Sequence, residues 1–324
     1  MSQNSPIERP LSGTPAAGAA TLLRETIGLL LTLALSSLLV ALIVFAPYAF
    51  IGNFARPGQG WSDYMTAIGD FFAGLARGRL SDSAHNEVVW SNLLTSARRS
   101  AELIGVSLAI ALPLGVGWGA LLASARRRTA RALLFGLNTL VMSLPSFAIM
   151  LLAMESVANL TLHTGIQLTY VQGYGLDRHL LLPAGVLALR GAAYLARGFQ
   201  IAQEDILRQD WIRAARARGL SGVALWRRHV LPALRLPAIG IVLGMLRVLI
   251  NGLIIIDYIY GWGGLGRRML TFDISGYDAV SNSSSAGAAL VLVIGFVVVD
   301  ALGQVSLRYV DPRLREVDNT GGGE

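Results

Sequence analysis

The side chains that could do chemistry in this sequence are a few charged and polar groups inside long apolar segments. Arg247 and Asn251 stand one helical turn apart on the same face, with Arg190 and Asp257 in the apolar stretches before and after them. A charge in contact with lipid is costly, so such groups face a protein interior or a wet cavity and often mark the route of a substrate or ion. These four residues are therefore predicted to line a translocation path.

The residue types needed for metal, nucleotide or covalent chemistry are scattered or absent. The four histidines, at positions 85, 163, 179 and 229, show no ligand spacing, so no metal site is predicted. All 27 basic residues are arginine, and a P-loop needs a lysine to reach nucleotide phosphates. Without cysteine, neither a disulfide nor a thiolate site can form. The sequence thus predicts a protein that is not an enzyme and has no cofactor, with any ATP bound by a partner.

The overall composition indicates the environment in which those polar groups lie. Of 324 residues, 53% are hydrophobic and only 15% charged, which is more apolar surface than a soluble domain can bury. The chain is predicted to be an all-α, polytopic membrane protein. Long uncharged or nearly uncharged runs indicate six transmembrane helices, at about 26–46, 100–123, 132–154, 179–197, 238–258 and 286–307. Residues 26–310 would form the membrane domain, with disordered tails at 1–25 and 311–324.

The arginines are distributed unevenly between the two sides of this predicted topology. The segments assigned to the cytoplasm hold 16 arginines and the external segments hold 6. Cytoplasmic loops of membrane proteins carry such an excess, so both termini are predicted to be cytoplasmic. The net charge of +7 therefore indicates membrane orientation, and no nucleic-acid partner is predicted.

A polar loop at 199–237 interrupts the apolar segments and contains two predicted short helices. Asp210 can cap the first helix, and Gly219 can end it in a left-handed turn with Leu220 folded back on Ala215. Ser221 can cap the second helix, which Pro232 would kink or stop. The small side chains of Ala214 and Ala215 would let another protein approach the first helix closely. The loop is predicted to be a docking element.

These features resemble the integral-membrane permeases of binding-protein-dependent ABC importers. The cytoplasmic signature of that family is Glu-Ala-Ala, three residues, Gly, nine residues and Ile-x-Leu-Pro. Five residues fall on its spacing: Ala214, Ala215, Gly219, Leu231 and Pro232. Arg213 and His229 depart from it, the first in a way that resembles the dipeptide, oligopeptide and nickel group. Residues 257–266 also resemble a family motif, with aspartate in place of glutamate and Gly263 in place of proline.

The resemblance carries specific expectations about fold, site and partners. It implies a type I importer permease fold, of the B-type rather than the C-type subunit, in the inner membrane. The loop would be the coupling helix, with Asp210, Ala214, Ala215, Gly219, Leu220, Leu231 and Pro232 in contact with a cytoplasmic ATPase. A second permease subunit, two ATPases and an extracytoplasmic substrate-binding protein would complete an importer, whose substrate would be a peptide.

Several alternatives stay open from the sequence. Arg190, Arg247, Asp257 and Asp300 could instead form the ion or proton relay of a self-contained secondary transporter. The chain could also be a scaffold that anchors a soluble complex, or a permease of the same family for nickel or sugars. Arg190 could simply pair with a carboxylate such as Glu102. The apolar stripe from Trp61 to Leu75 could lie on the membrane interface or pack on the protein's own external face.

Overall fold

The computed structural model describes residues 15–50, 60–80, 86–125, 127–271 and 279–310. Within these ranges the regular structure is helical and no strand occurs, which confirms the predicted all-α class. Six helical segments are long and apolar enough to cross a membrane: Thr26–Val44, Glu87–Ser124, Ser146–Thr164, Arg178–Leu207, Gly222–Tyr260 and Asn282–Gly303. Five of them overlap the predicted spans, although the second and fifth begin 13 and 16 residues earlier than predicted, and the third is displaced toward the C-terminus.

The helices follow one another with short connections. In chain order they are α1 (Pro15–Val44), α2 (Ala46–Phe50), α3 (Gly60–Ala76), α4 (Asn86–Ser124), α5 (Arg128–Ser143), α6 (Ser146–Thr164), α7 (Arg178–Leu207), α8 (Asp210–Ala217), α9 (Gly222–Leu225), α10 (Leu231–Tyr260), α11 (Leu265–Leu270) and α12 (Ala279–Val310). A π-helical turn, Trp226–Val230, joins α9 to α10.

Helices α4 and α7 form the most extensive helix pair and approach closely at small residues. A Cβ on Gly115 would lie 2.9 Å from the carbonyl oxygen of Ala192, and one on Gly119 would lie 3.0 Å from that of Ala196. Small residues four apart on each helix let membrane helices pack backbone to backbone. Asn138 of α5 then donates a buried hydrogen bond of 2.9 Å to the carbonyl of Ala193, which fixes a third helix to this pair.

The third predicted span, 132–154, is divided into two helices. Helix α5 ends at Ser143, and α6 begins at Ser146. Leu144 lies between α5 and Pro145, and its backbone is extended (φ −73°, ψ 134°). This conformation is expected because a proline disfavours the helical region for the residue before it. The proline therefore breaks the helix rather than kinking it, and the apolar segment long enough to cross the membrane runs on to Thr164.

The predicted stop at Pro232 does not occur. Residues Gly222–Tyr260 form one continuous helical segment, in which Pro232 is the second residue of α10. The π-helical turn just before it widens the backbone, which accommodates a ring that would otherwise clash with the preceding turn. The loop predicted at 199–237 is correspondingly shorter, because α7 also continues to Leu207.

The N-terminal part differs from the prediction in one respect. Helix α1 begins at Pro15, so residues 15–25, predicted to be part of a disordered tail, are helical, while 1–14 and the C-terminal tail at 311–324 lie outside the described residues. Part of the stripe on α3 packs on the protein itself, as one of the two alternatives expects. Tyr64 is buried and donates to the Leu42 carbonyl at 3.0 Å, whereas Trp61 and Met65 are exposed.

Candidate functional site

The end of helix α8 is a tight left-handed turn at Gly219. Its φ is +85°, and its N–H donates to the Arg216 carbonyl at 2.9 Å while the N–H of Leu220 donates to the Ala215 carbonyl at 3.2 Å. These two bonds define a Schellman motif. Nothing lies within 4 Å of a Cβ at this position, so the backbone dihedral alone requires glycine. The predicted turn and the fold-back of Leu220 are confirmed.

The start of α8 differs from the predicted cap. Gln209 occupies the N-cap position and Asp210 is the first helical residue, whose carboxylate accepts a 3.0 Å hydrogen bond from Arg213. Ser221 does take the N-cap position of α9, but its hydroxyl makes no capping bond. The starts of α8 and α9 therefore rely on backbone geometry rather than on side-chain caps.

The two alanines of the signature face opposite directions. Ala215 is fully buried with Ile212 in a small core that Leu225, Val230 and Leu234 complete, whereas Ala214 is exposed. The expectation that both alanines present a bare outer surface therefore holds only for Ala214. Ala215 is small because the turn packs tightly onto the start of α10, so that the docking helix is anchored to a membrane-spanning helix.

The outer surface around α8 combines this bare backbone with exposed apolar groups. Leu231 and Pro232 are exposed, Leu220 is half-buried, and Trp211 and Val223 are also open to solvent. Trp211 lies beside His229, with ring centroids 6.1 Å apart. An exposed apolar surface of this kind, next to a rigid turn, suits contact with another protein.

Arg190 has a backbone partner and not the carboxylate considered from the sequence. Its guanidinium donates to the carbonyl oxygen of Leu144, at the break between α5 and α6. That carbonyl is left without a helical partner because Pro145 ends the ladder. Glu102 instead accepts from Arg98 at 2.9 Å and from Tyr174 at 2.8 Å. Arg190 is thus placed to stabilise the helix break.

Arg247 is ion-paired across two spans. Its Nε donates to the carboxylate of Asp300 on α12 at 2.7 Å, and both side chains remain 47% exposed. Asn251 lies on the same face of α10 and is exposed, as are Ile255 and Tyr258 further along it. This face, with Arg247, Asn251, Ile255 and Tyr258, is a partly polar surface that the described part of the chain leaves uncovered.

Asp257 does not lie on the uncovered face of α10, because its side chain points into the protein. It is fully buried, and its carboxylate oxygens accept from the backbone N–H of Gly264 at 2.9 Å and of Arg267 at 3.1 Å. These N–H groups open helix α11, so Asp257 caps that helix from the end of α10. The structure therefore corrects its assignment as a path-lining residue.

We expect Asp257→Ala to lower the amount of folded protein several-fold. It removes the acceptors of two N–H groups, each costing about 1–3 kcal/mol when left buried and unsatisfied. Asp257→Asn keeps one acceptor and should give an intermediate thermal stability. The measurement is abundance in isolated membranes together with Tm in detergent. Asp70→Ala, at an exposed site on α3, is the matched control, and an unchanged abundance for Asp257→Ala would contradict the capping role.

The residues around Asp257 hold together the end of the bundle where α10 meets α11, and sequence reasoning missed their contacts. Ser100 accepts from the N–H of Leu265 at 2.8 Å, and the Trp262 indole donates to the carbonyl of Arg99 at 2.8 Å. The Tyr260 hydroxyl lies 2.6 Å from the carbonyl of His179. The family-like motif 257–266 was the available signal, but its partners lie far away in sequence.

Gly263 stands in place of the proline of the family motif and forms a turn that a proline could not form. Its φ is +80°, which a proline ring forbids, and a Cβ there would lie 2.6 Å from a guanidinium nitrogen of Arg99. Arg99, Arg267 and Arg268 line a cavity of about 280 Å³ around this turn. Burial, together with the nearby Arg99, lowers the pKa of Arg268. Three arginines therefore meet at this end of the bundle.

Metal ligands do not converge in the described residues. No group of three or more histidine, aspartate or glutamate side chains within them is placed to hold an ion. Of the predicted path residues, Arg190 and Asp257 are instead matched to backbone groups, and Arg247 to one opposite charge.

The fold and the site together define a class of protein. The chain has six segments long and apolar enough to cross a membrane, and a rigid turn packs on one of them. The same helix has an uncovered, partly polar face. These features are those of a permease subunit that works with other proteins. The family described as the binding-protein-dependent transport system inner membrane component matches residues 115–316. The chain belongs to that family, so it is a multi-pass transport component of the inner membrane and not an enzyme.

Relatives extend the similarity to nearly the whole chain. A putative peptide permease protein of Brucella ovis is 26% identical over 316 residues, covering 90% of this chain and 97% of the relative. The oligopeptide transport system permease protein OppB of Mycobacterium bovis is 28% identical over 325 residues, covering 91% and 98%. The di/tripeptide transport system permease protein DppB of Pseudomonas aeruginosa is 28% identical, covering 76% and 79%.

A solved structure shows the same fold. The MetNI methionine ABC transporter in an inward-facing conformation contains a chain that matches with a TM-score of 0.57 and 19% identity. The match covers 69% of this chain and 99% of that chain. The predicted importer permease fold is therefore confirmed.

Proposed function

We propose that this chain is one permease half of an ATP-driven importer of peptides. The observation that carries the proposal is similarity to peptide permeases over about nine-tenths of the chain. The substrate would cross along the uncovered face of α10, which a second permease subunit would close from the opposite side. Nickel or sugar as the substrate remains the alternative within the same family.

Coupling to ATP hydrolysis would occur at α8. Gly219 and Leu220 shape its rigid end, Asp210 and Ala214 lie on its exposed side, and Leu231 and Pro232 are exposed beside it. Ala215 would act from inside, by fixing α8 to α10 so that a push on one moves the other. The proposed partners are two cytoplasmic ATPase subunits, which bind the ATP, and an external substrate-binding protein.

The proposed orientation places both termini and α8 in the cytoplasm. It is supported by the arginine excess in the segments on that side. The opposite, external end carries the turn at Gly263 with its three arginines, which offers a positively charged surface to the binding protein. Surrounding lipid would contact the exposed leucines of α1.

The test is uptake of a mixture of di- to pentapeptides into liposomes that contain the purified complex. We expect accumulation only with ATP on the ATPase side and the binding protein on the other. Uptake by this chain alone, driven by a proton gradient, would identify a secondary transporter and contradict the proposal. Co-purification of the ATPases without flux of any peptide would identify a scaffold. Preferential uptake of nickel or sugar would overturn the peptide assignment alone.

A further inference from the structure

A cavity of about 430 Å³ lies between the start of α5 and the last third of α7, away from the sites described above. We call it the arginine pocket. Its lining is Arg128, Arg131, Ala132 and Phe135 from α5 with Arg197, Gln200 and Glu204 from α7. Three guanidinium groups face one carboxylate, so the pocket carries a net charge of about +2 at neutral pH.

The pocket is held in shape by its own contacts. Arg131 pairs with Glu204 at 2.7 Å, and Arg197 donates to Gln200 at 3.1 Å while it stacks over the Phe135 ring at 4.7 Å. Each guanidinium has five N–H donors, so both arginines keep donors for a further ligand. Arg128 has no hydrogen-bond or ion-pair partner among the residues that the structure describes. An anion would therefore find fixed and unused donors together.

The position of the pocket along α7 places it at the edge of the hydrocarbon layer. From Arg178 to Arg197 the helix rises about 28 Å, close to the roughly 30 Å thickness of that layer. Glu204 lies about 10 Å beyond Arg197, on the way to α8. The arginines are thus at the depth of lipid headgroups, on the same side as the coupling helix.

The face of α5 that lines the pocket continues away from it as an apolar strip. Phe135 and Met142 follow Arg128 on that face at intervals of seven residues, and each is 40% exposed. Side chains of this kind suit acyl chains, whereas the arginines above them suit a phosphate. A basic pocket between helices at the cytoplasmic interface is a recognised form of binding site for anionic headgroups.

We propose that the arginine pocket binds the phosphate headgroup of an anionic phospholipid, whose acyl chains lie along Phe135 and Met142 of α5. Arg128 and Arg131 would contact the phosphate from α5 and Arg197 from α7, so one lipid bridges the two helices. Glu204 limits the affinity because it neutralises one arginine. The lipid holds α5 against α7, the helix that leads into α8.

The test uses the complete transporter, purified in detergent and titrated with dioleoyl phosphatidylglycerol by native mass spectrometry. Each arginine near a headgroup contributes about five-fold in affinity, so Arg128→Gln with Arg131→Gln should weaken binding roughly 25-fold. Glu204→Gln should act in the opposite direction and tighten binding about five-fold. The external pair Arg77→Gln with Arg79→Gln removes the same charge elsewhere and should change nothing. Binding in detergent requires neither transport nor orientation, so its failure would leave the proposed function untouched.

Three results would overturn the proposal. Equal binding by wild type and the Arg128/Arg131 variant would show that the pocket is not the site. Displacement of the lipid by millimolar inorganic phosphate, or equally tight binding of phosphate alone, would identify a site for the free anion. A nitroxide attached to Met142→Cys that is shielded from oxygen dissolved in the bilayer would show that protein, not lipid, covers this apolar strip of α5. Dioleoyl phosphatidylethanolamine, without net charge, should bind much more weakly.

Discussion

Gly219→Val is expected to abolish ATP-driven uptake and to reduce co-purification of the ATPases at least ten-fold, with the membrane bundle still folded. The residue has φ +85°, and a β-branched side chain in that region costs about 1–3 kcal/mol. The turn escapes this strain by changing conformation, which breaks the two bonds that close the Schellman motif. The outer surface of α8 then loses its fixed position on α10.

The matched control is Gly165→Val, at the end of α6. Gly165 also ends a helix at a positive φ of +70°, and a Cβ there would likewise meet nothing within 4 Å. The two variants carry the same kind of backbone strain at opposite ends of the bundle. Abundance, Tm and ATPase pulldown should separate them, since only Gly219→Val should lose the ATPases. Wild-type uptake and pulldown with Gly219→Val would show that α8 is not the coupling element, and equal damage from both variants would indicate a general folding defect.

The features that could be predicted from the sequence are those fixed by neighbours in the chain. The turn at Gly219 follows from a glycine and a leucine at the right distance after a short helix, and the structure contains it. The membrane spans follow from apolar runs in the same way. The sequence was less informative at the prolines, where the tendency to form a helix competes with the geometry of the ring. Pro145 breaks a helix, whereas a π-helical turn accommodates Pro232.

Side-chain partners across the bundle could not be predicted, because the separation in sequence is large and the choice of partner depends on packing. Arg190 takes a carbonyl 46 residues away rather than a carboxylate, since the broken helix leaves that carbonyl unsatisfied. Asp257 resembles a path residue by its place in an apolar run, yet it caps a helix whose N-cap, Gly264, lies seven residues later beyond a tight turn. Burial, which periodicity alone does not reveal, decided both cases.

Arg247 could line the translocation path or could only link two helices, and we expect it to line the path. Arg247→Ala alone leaves the half-exposed carboxylate of Asp300 without its partner, at a cost of about 1 kcal/mol, so it should impair uptake more than assembly. The double variant Arg247→Ala with Asp300→Ala removes both charges and should assemble as the wild type does. If the pair lines the path, that double variant should still lose at least ten-fold in peptide uptake. Recovery of uptake in the double variant would show that the pair is only a structural link.

Accessibility of the face next to Arg247 provides independent evidence. The chain has no cysteine, so Asn251→Cys introduces a single thiol on that face. We expect a small water-soluble thiol reagent to label it in at least one nucleotide state of the transporter. Asp70→Cys, on the exposed polar side of α3, is the positive control, and Leu39→Cys, exposed on the apolar helix α1, is the lipid-facing negative control. If Asn251→Cys stays as unreactive as Leu39→Cys in every state, the face is dry, and the polar groups on α10 serve packing between subunits rather than passage of the substrate.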